Sequence, residues 1–219
     1  MNKTVLGVLA SGRGSNLQSI IAAIENGRIK ARIGVVITDK PDAGALVRAR
    51  EAGIKAVCID RRQCTGREEF EERLVGALKE AGVTLVILAG FMRILSPYFV
   101  REFKDHIMNI HPSLLPAFSG AHAHRDVLAY GVKVSGCTIH FVDEGMDSGP
   151  IILQDTVPVL PDDQEETLAA RVLEKEHQLY PRAIELYVNG CLQVEGRHGK
   201  TRSRRAWQYY RTDGAAEKF

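Results

Sequence analysis

Asn109 and His111 stand two positions apart at the end of a short apolar run, with Pro112 directly behind them. Residues two apart in extended chain point to the same side, so a carboxamide and an imidazole are aimed together from a strand end. An amide N–H donates without titrating, and an imidazole takes or gives a proton near neutral pH. The pair suits a reaction that builds negative charge on oxygen. A carboxylate to orient the imidazole is available downstream. Asp147 lies between Gly145 and Gly149 in FVDEGMDSGPII, where backbone can approach closely. Its carboxylate is expected to fix one tautomer of His111 or to hold a water molecule.

A second feature is SGRGSNL at 11–17, which follows the first strand pattern and opens the first helical one. Glycines permit a tight turn there, and Ser15 or Asn16 is expected to cap the helix. Free amides at a helix N-terminus bind anions. A dinucleotide fingerprint would need glycine where Leu17 stands, and no GxxxxGK[ST] is present. One phosphate monoester is what remains. Arg93, in GFMRIL after the fourth strand, suits a carboxylate-bearing ligand. The histidines His106, His122, His124 and His140 lack HExxH or cysteine–histidine spacing, so no metal is expected. There is no GxSxG elbow for a serine hydrolase. Cys137, within SGCTIHF, reads as a buried, inert thiol.

These residues need a scaffold, and the pattern supplies one. Apolar runs at 4–10, 33–37, 56–59, 85–88 and 107–110 alternate with helical spacing at 16–25, 43–52 and 68–81. Strands that are apolar throughout indicate a mainly parallel sheet covered on both faces. Further on, a helix at 121–129 precedes a strand at 132–142 that continues to the sheet edge. A hairpin-like return follows at 151–159, and the longest helix spans 167–188. Pro181 should kink or divide that helix. The tail from Arg197 is basic and is expected to pack back on the domain through Trp207, Tyr209 and Tyr210.

The 219 residues suit one large domain with a modest extension, and 45% hydrophobic content is ample for its core. A net charge of +2 gives no general electrostatic case for nucleic acid. Four scattered cysteines without CxxC read as free thiols in a reducing compartment. No apolar run approaches the roughly 20 residues that span a bilayer, and the N-terminus has no signal-peptide pattern. A cytoplasmic protein is expected.

Taken together, SGRGSNLQSII at 11–21, LAGFMRIL at 88–95, NIHPSLLPAFSG at 109–120, SGCTIHFVDEGMDSGPII at 135–152 and EKEHQLYP at 174–181 resemble the glycinamide ribonucleotide transformylases. The likeness runs to about Glu195. It implies a three-layer αβα Rossmann-like formyltransferase fold with a mainly parallel sheet and an antiparallel edge strand. The domain would occupy 1–195, and 196–219 would be a basic C-terminal extension. The implied reaction moves the formyl group of the co-substrate 10-formyltetrahydrofolate to the amino group of glycinamide ribonucleotide in purine biosynthesis, without metal. Asn109 would polarise the formyl oxygen, His111 would stabilise the oxyanion and help proton transfer, and Asp147 would position His111 and a water. Gly14, Ser15 and Asn16 would hold the ribonucleotide phosphate, with Glu176 near the glycinamide. Met92, Arg93, Ile94 and Leu95 would line the folate pocket, and Arg67 would meet the folate glutamate. The implied partners are these small molecules, with neither nucleic acid nor membrane, and a monomer or homodimer.

The nearest alternative is a 10-formyltetrahydrofolate hydrolase that releases formate with the same three residues. Such enzymes usually carry an N-terminal regulatory domain, and this chain starts directly on its first strand. Methionyl-tRNA formyltransferases are expected to have a further C-terminal domain and a basic surface. A phospholigand-sensing module would need only the loop and the fold, not Asn109, His111 and Asp147 together.

Overall fold

The protein is described by a computed structural model that covers residues 4–195 and 198–201. Its centre is a nine-stranded sheet. The strands are β1 (Val5–Ala10), β2 (Arg32–Thr38), β3 (Ala56–Cys58), β4 (Leu85–Leu88), β5 (Ile107–His111), β6 (Val134–Phe141), β7 (Ile151–Pro158), β8 (Leu192–Glu195) and β9 (His198–Thr201), in the order β3-β2-β1-β4-β5-β6-β7-β9-β8. β1 to β5 pair in parallel. β6 runs antiparallel to β5 and to β7. β6 therefore runs antiparallel inside the sheet, and the edge strand β8 is also antiparallel to its neighbour β9, in keeping with the expected antiparallel edge strand. The apolar residues Cys137, Ile139 and Phe141 alternate along β6 and point to the face that α6 covers, while β5 and β7 pair its backbone on either side. The backbone of 198–201, past the expected boundary at 195, pairs with β8 and β7. The expected packing of Trp207, Tyr209 and Tyr210 lies outside the described residues.

Helices α1 (Ser15–Glu25), α2 (Gly44–Glu51), α5 (Ala123–Tyr130) and α6 (Glu165–Val188) cover one face, and α3 (Arg67–Glu80) with α4 (Pro97–Glu102) covers the other. Alternation along the strands decides which core each side chain joins. Leu6, Val8 and Ala10 pack with α1 and α6, whereas Leu9 packs with α3. Each fully buried Leu or Ile contributes about 1.5–3 kcal/mol relative to exposure, so the two cores hold the strand ends in fixed relation.

Helix α6 is uninterrupted through Pro181, contrary to the expected division. Its buried face, including Leu179, Tyr180, Ala183 and Ile184, offsets the roughly 3 kcal/mol that an internal proline costs. The hydroxyl of Tyr180 sits 2.8 Å from the Met108 carbonyl and 3.0 Å from that of Leu88, tying α6 to the ends of β4 and β5. Among the described residues no helix is long and apolar enough to cross a membrane.

In a sheet of order 3-2-1-4-5 the connections leave in opposite directions on either side of the β1–β4 pair. A crevice opens there beyond the carboxyl ends of the strands. The loops after β1, β4 and β5 all emerge at this point.

Candidate active site

The turn after β1 leads straight into α1. Gly14 is the residue before the helix, with φ 75°, and a Cβ there would stand 2.8 Å from Cα of Ala45. Both facts require glycine. The expected cap by Ser15 or Asn16 is not what forms: α1 has no side-chain cap, so its first amides stay open. Asn16 is occupied elsewhere. Its Nδ2 donates to Glu176 Oε2 at 2.8 Å, while its buried Oδ1 has no partner among the described residues. Glu176 of α6 is thus brought to the start of α1 through Asn16.

β5 delivers Asn109 and His111 on one face. The register Asn109↔His140 and His111↔Thr138 adds two β6 side chains to that face. The segment after β5 is fixed by polar contacts to the sheet. Thr138 Oγ1 donates to Ser113 O and accepts from Leu115 N, and Gln154 Nε2 reaches Leu115 O and Thr138 Oγ1. Ser113 Oγ in turn donates to Ala117 O. This brings the Phe118 carbonyl to 2.8 Å from His111 Nε2.

On the other side of the imidazole, Asp147 Oδ2 lies 3.4 Å from His111 Nδ1 and accepts from Gly120 N at 2.9 Å. Asp147 reaches this position because the turn between β6 and β7 closes tightly. A Cβ on Gly149 would stand 1.9 Å from the Phe141 carbonyl. Asp147 and Phe118 themselves have φ of 50° and 53°, a conformation that costs non-glycine residues about 1–3 kcal/mol and clusters at functional sites. Asn109 Nδ2 is 3.1 Å from His140 Nε2, and Asp147 Oδ1 is 3.8 Å from the same nitrogen. His111 and Asp147 face each other directly, and Asn109 is linked to them through His140.

After β4, Met92 N donates to Ser11 Oγ, joining this segment to the glycine loop. A cleft of about 340 Å³ is lined by Arg61, Arg67, Phe70, Glu71, Met92, Arg93, Ile94 and Leu95. Arg93 is not a free surface cation: its Nε donates at 2.6 Å to the buried Asp39, and its guanidinium lies 5.7 Å from the Phe70 ring centre. Arg67 is held by Glu71 at 3.0 Å and by the Ile94 carbonyl at 2.8 Å, which leaves some of its five N–H donors for a ligand. Met92 and Ile94 are 75% and 68% exposed, an apolar rim beside the cations.

An open helix N-terminus, a carboxamide–imidazole–carboxylate cluster and a cleft with apolar and cationic walls therefore all lie at the carboxyl-end side of the parallel strands β1, β5 and β4. The family described as formyl transferase is matched over residues 5–184. The chain belongs to the formyl transferase family. It is 43% identical over 187 residues to phosphoribosylglycinamide formyltransferase of Escherichia coli K12, covering 85% of this chain and 88% of that one. It is 48% identical over 185 residues to the trifunctional purine biosynthetic protein adenosine-3 of Drosophila melanogaster, covering 84% of this chain and only 14% of the relative. A crystal structure of glycinamide ribonucleotide transformylase 1 from Symbiobacterium toebii superposes with a TM-score of 0.89 at 48% identity, covering 91% of this chain and 94% of that one.

The electrostatics of the site follow from burial. Desolvation pushes the Glu176 carboxyl up, against the opposing Asn16 hydrogen bond. It pushes the Cys137 thiol up as well. Cys137 is buried, as its extended apolar setting implied, and all four cysteines are free. Among the described residues no group of three or more His, Cys, Asp or Glu is placed to hold a metal ion.

His124, His140 and His177 are held below the ordinary histidine value, chiefly by burial. Below about pH 6.5 the unfolded chain binds protons that these folded histidines refuse, so stability is lost as the pH falls. Melting measured at about pH 7.5 and about pH 5.5 should show the lower transition in acid. An unchanged transition would contradict the burial of these rings.

His140, Thr138, Gln154 and Asp39 are site-forming residues that the sequence reading left without a role. A signal for the first two was present, since Thr138 and His140 alternate with apolar Cys137 and Ile139 and must share a face.

Proposed function

We propose that the protein transfers the formyl group of 10-formyltetrahydrofolate to the amino group of glycinamide ribonucleotide. The chain spans 14–20% of the trifunctional relatives it matches, but 88% of the Escherichia coli enzyme, and the proposal concerns this step alone. The observation that carries it is the contact of His111 with Asp147, linked to Asn109 through His140, at the same end of the parallel sheet as the open start of α1.

The acceptor phosphate sits on the amides of Gly14, Ser15 and Asn16, where the helix dipole favours an anion. Glu176 stands near the glycinamide. The folate lies along Met92, Arg93, Ile94 and Leu95, with its glutamate toward Arg67. The amine attacks the formyl carbon, and the N–H of Asn109 and the imidazole of His111 stabilise the oxyanion. Collapse breaks the bond to N10, which gains a proton as the attacking nitrogen loses one. Asp147 holds the imidazole or a relaying water. No covalent intermediate on the protein is involved; alignment and oxyanion donors carry the rate.

The test follows the formyl group with and without the ribonucleotide. Transfer that requires the acceptor supports the reading. Release of formate without acceptor, at a rate matching transfer, would instead make the protein a hydrolase.

Binding of the ribonucleotide and its dephosphorylated analogue, compared by calorimetry, should differ strongly in favour of the phosphorylated form. Equal affinities would reduce the glycine loop to a structural turn. Replacing Arg67 and Arg93 should raise KM for the folate and not for the acceptor, because a guanidinium pairs with carboxylates directionally. Arg67 is half exposed, and an exposed pair contributes only about 0.2–1 kcal/mol; Arg93, packed on Phe70, should have the larger effect. If the double variant keeps the wild-type preference for a folate with its glutamate tail, other residues bind the tail.

A further inference from the structure

His140 is 2% exposed and is clamped on both ring nitrogens. Its Nδ1 lies 2.8 Å from the carbonyl of Phe141, which can only accept, so Nδ1 carries a proton. A neutral ring then has a lone pair at Nε2. The group facing that lone pair at 3.1 Å is the side-chain amide of Asn109, which must present Nδ2 and not Oδ1. The carbonyl of Phe141 thereby fixes a tautomer, and the tautomer fixes the sense of an amide one strand away. Burial pushes the imidazole down and keeps it neutral. Asp147 Oδ1, at 3.8 Å from Nε2, is beyond hydrogen-bond reach, and the other oxygen of that carboxylate is engaged by Gly120 and faces His111.

We infer that His140, as its Nδ1–H tautomer, is a positioning residue that locks the amide of Asn109 with its NH2 group inward, leaving the second N–H as the donor to the formyl oxygen. A reversed amide would set Oδ1 against the Nε2 lone pair and turn an acceptor toward the developing oxyanion. The inference rests on the proposed role of Asn109.

Two measurements test it. Nitrogen NMR of the resting protein with labelled histidine rings should show His140 protonated at Nδ1 and bare at Nε2. Kinetics should show that His140→Leu lowers kcat on the order of 10²-fold, the scale of a misplaced catalytic group, with both KM values close to wild type. His140→Gln, whose Oε1 can take the Nε2 position as an acceptor, should recover most of the loss. In an Asn109→Ala background, His140→Leu should cost nothing further. A ring protonated at Nε2 overturns the inference even if no variant folds, as does a folded His140→Leu protein with wild-type kcat. Absence of formyl transfer by the wild type overturns the underlying functional reading instead, whatever the tautomer.

Discussion

Replacing His111 with alanine or Asp147 with asparagine lowers kcat by about 10²–10⁴-fold, the usual contribution of a positioned acid–base group, and leaves ribonucleotide affinity near wild type. The two side chains face each other at 3.4 Å beside Asn109, whereas the open amides that suit the phosphate belong to α1 on another strand's loop. Asp147→Asn is the sharper variant. The new side chain keeps an oxygen to accept from Gly120 N but loses the charge that faces the imidazole. His111→Ala also removes one of the two contacts to the Phe118 carbonyl, which Ser113 Oγ still reaches at 3.2 Å, so its melting curve should be recorded alongside. Turnover at saturating substrates and calorimetry with the ribonucleotide separate the two effects. Wild-type turnover in either variant would remove both residues from the reaction.

Asn109→Leu lowers kcat by about 10²–10³-fold, as expected when one oxyanion donor is lost, and Asn109→Asp lowers it further. The aspartate is nearly isosteric but brings an acceptor, charged when ionised, to both the oxyanion and the lone pair of His140. An interaction made only in the transition state reduces kcat and kcat/KM together. Steady-state kinetics with each substrate varied in turn therefore discriminates. A rise in KM with unchanged kcat would mean that Asn109 binds ground-state substrate and does not favour the transition state.

Of the first five strands, β1, β4 and most of β5 were legible because they are buried on both faces and read as apolar runs, and β2 and the edge strand β3 by their short β-branched runs between helices. Helix α4 was not: it has six residues, too few for periodicity, although Ser96 and Pro97 carry the start signal of a cap and a first-turn proline. Pro181 does not divide α6, because a local rule about helix breaking says nothing of the tertiary contacts that hold Tyr180 and Ile184 in place. At the site, the types of Asn109, His111 and Asp147 announced their chemistry, but their meeting depends on the β6–β7 turn bringing residue 147 back to 111. The part of His140 depends on register between β5 and β6, which sequence spacing within either strand does not contain. Arg93 was visible as a cation, while its partner Asp39, at the end of another strand, was not.

The most direct measurement is a crystal structure with the ribonucleotide and an unreactive folate analogue bound together. The phosphate is expected on the amides of residues 14–16, the analogue along Met92 to Leu95, and its formyl-mimicking oxygen within hydrogen-bond distance of Asn109 Nδ2 and the imidazole of His111. A complex with the acceptor amine remote from that oxygen, or with the phosphate away from the start of α1, would contradict this arrangement.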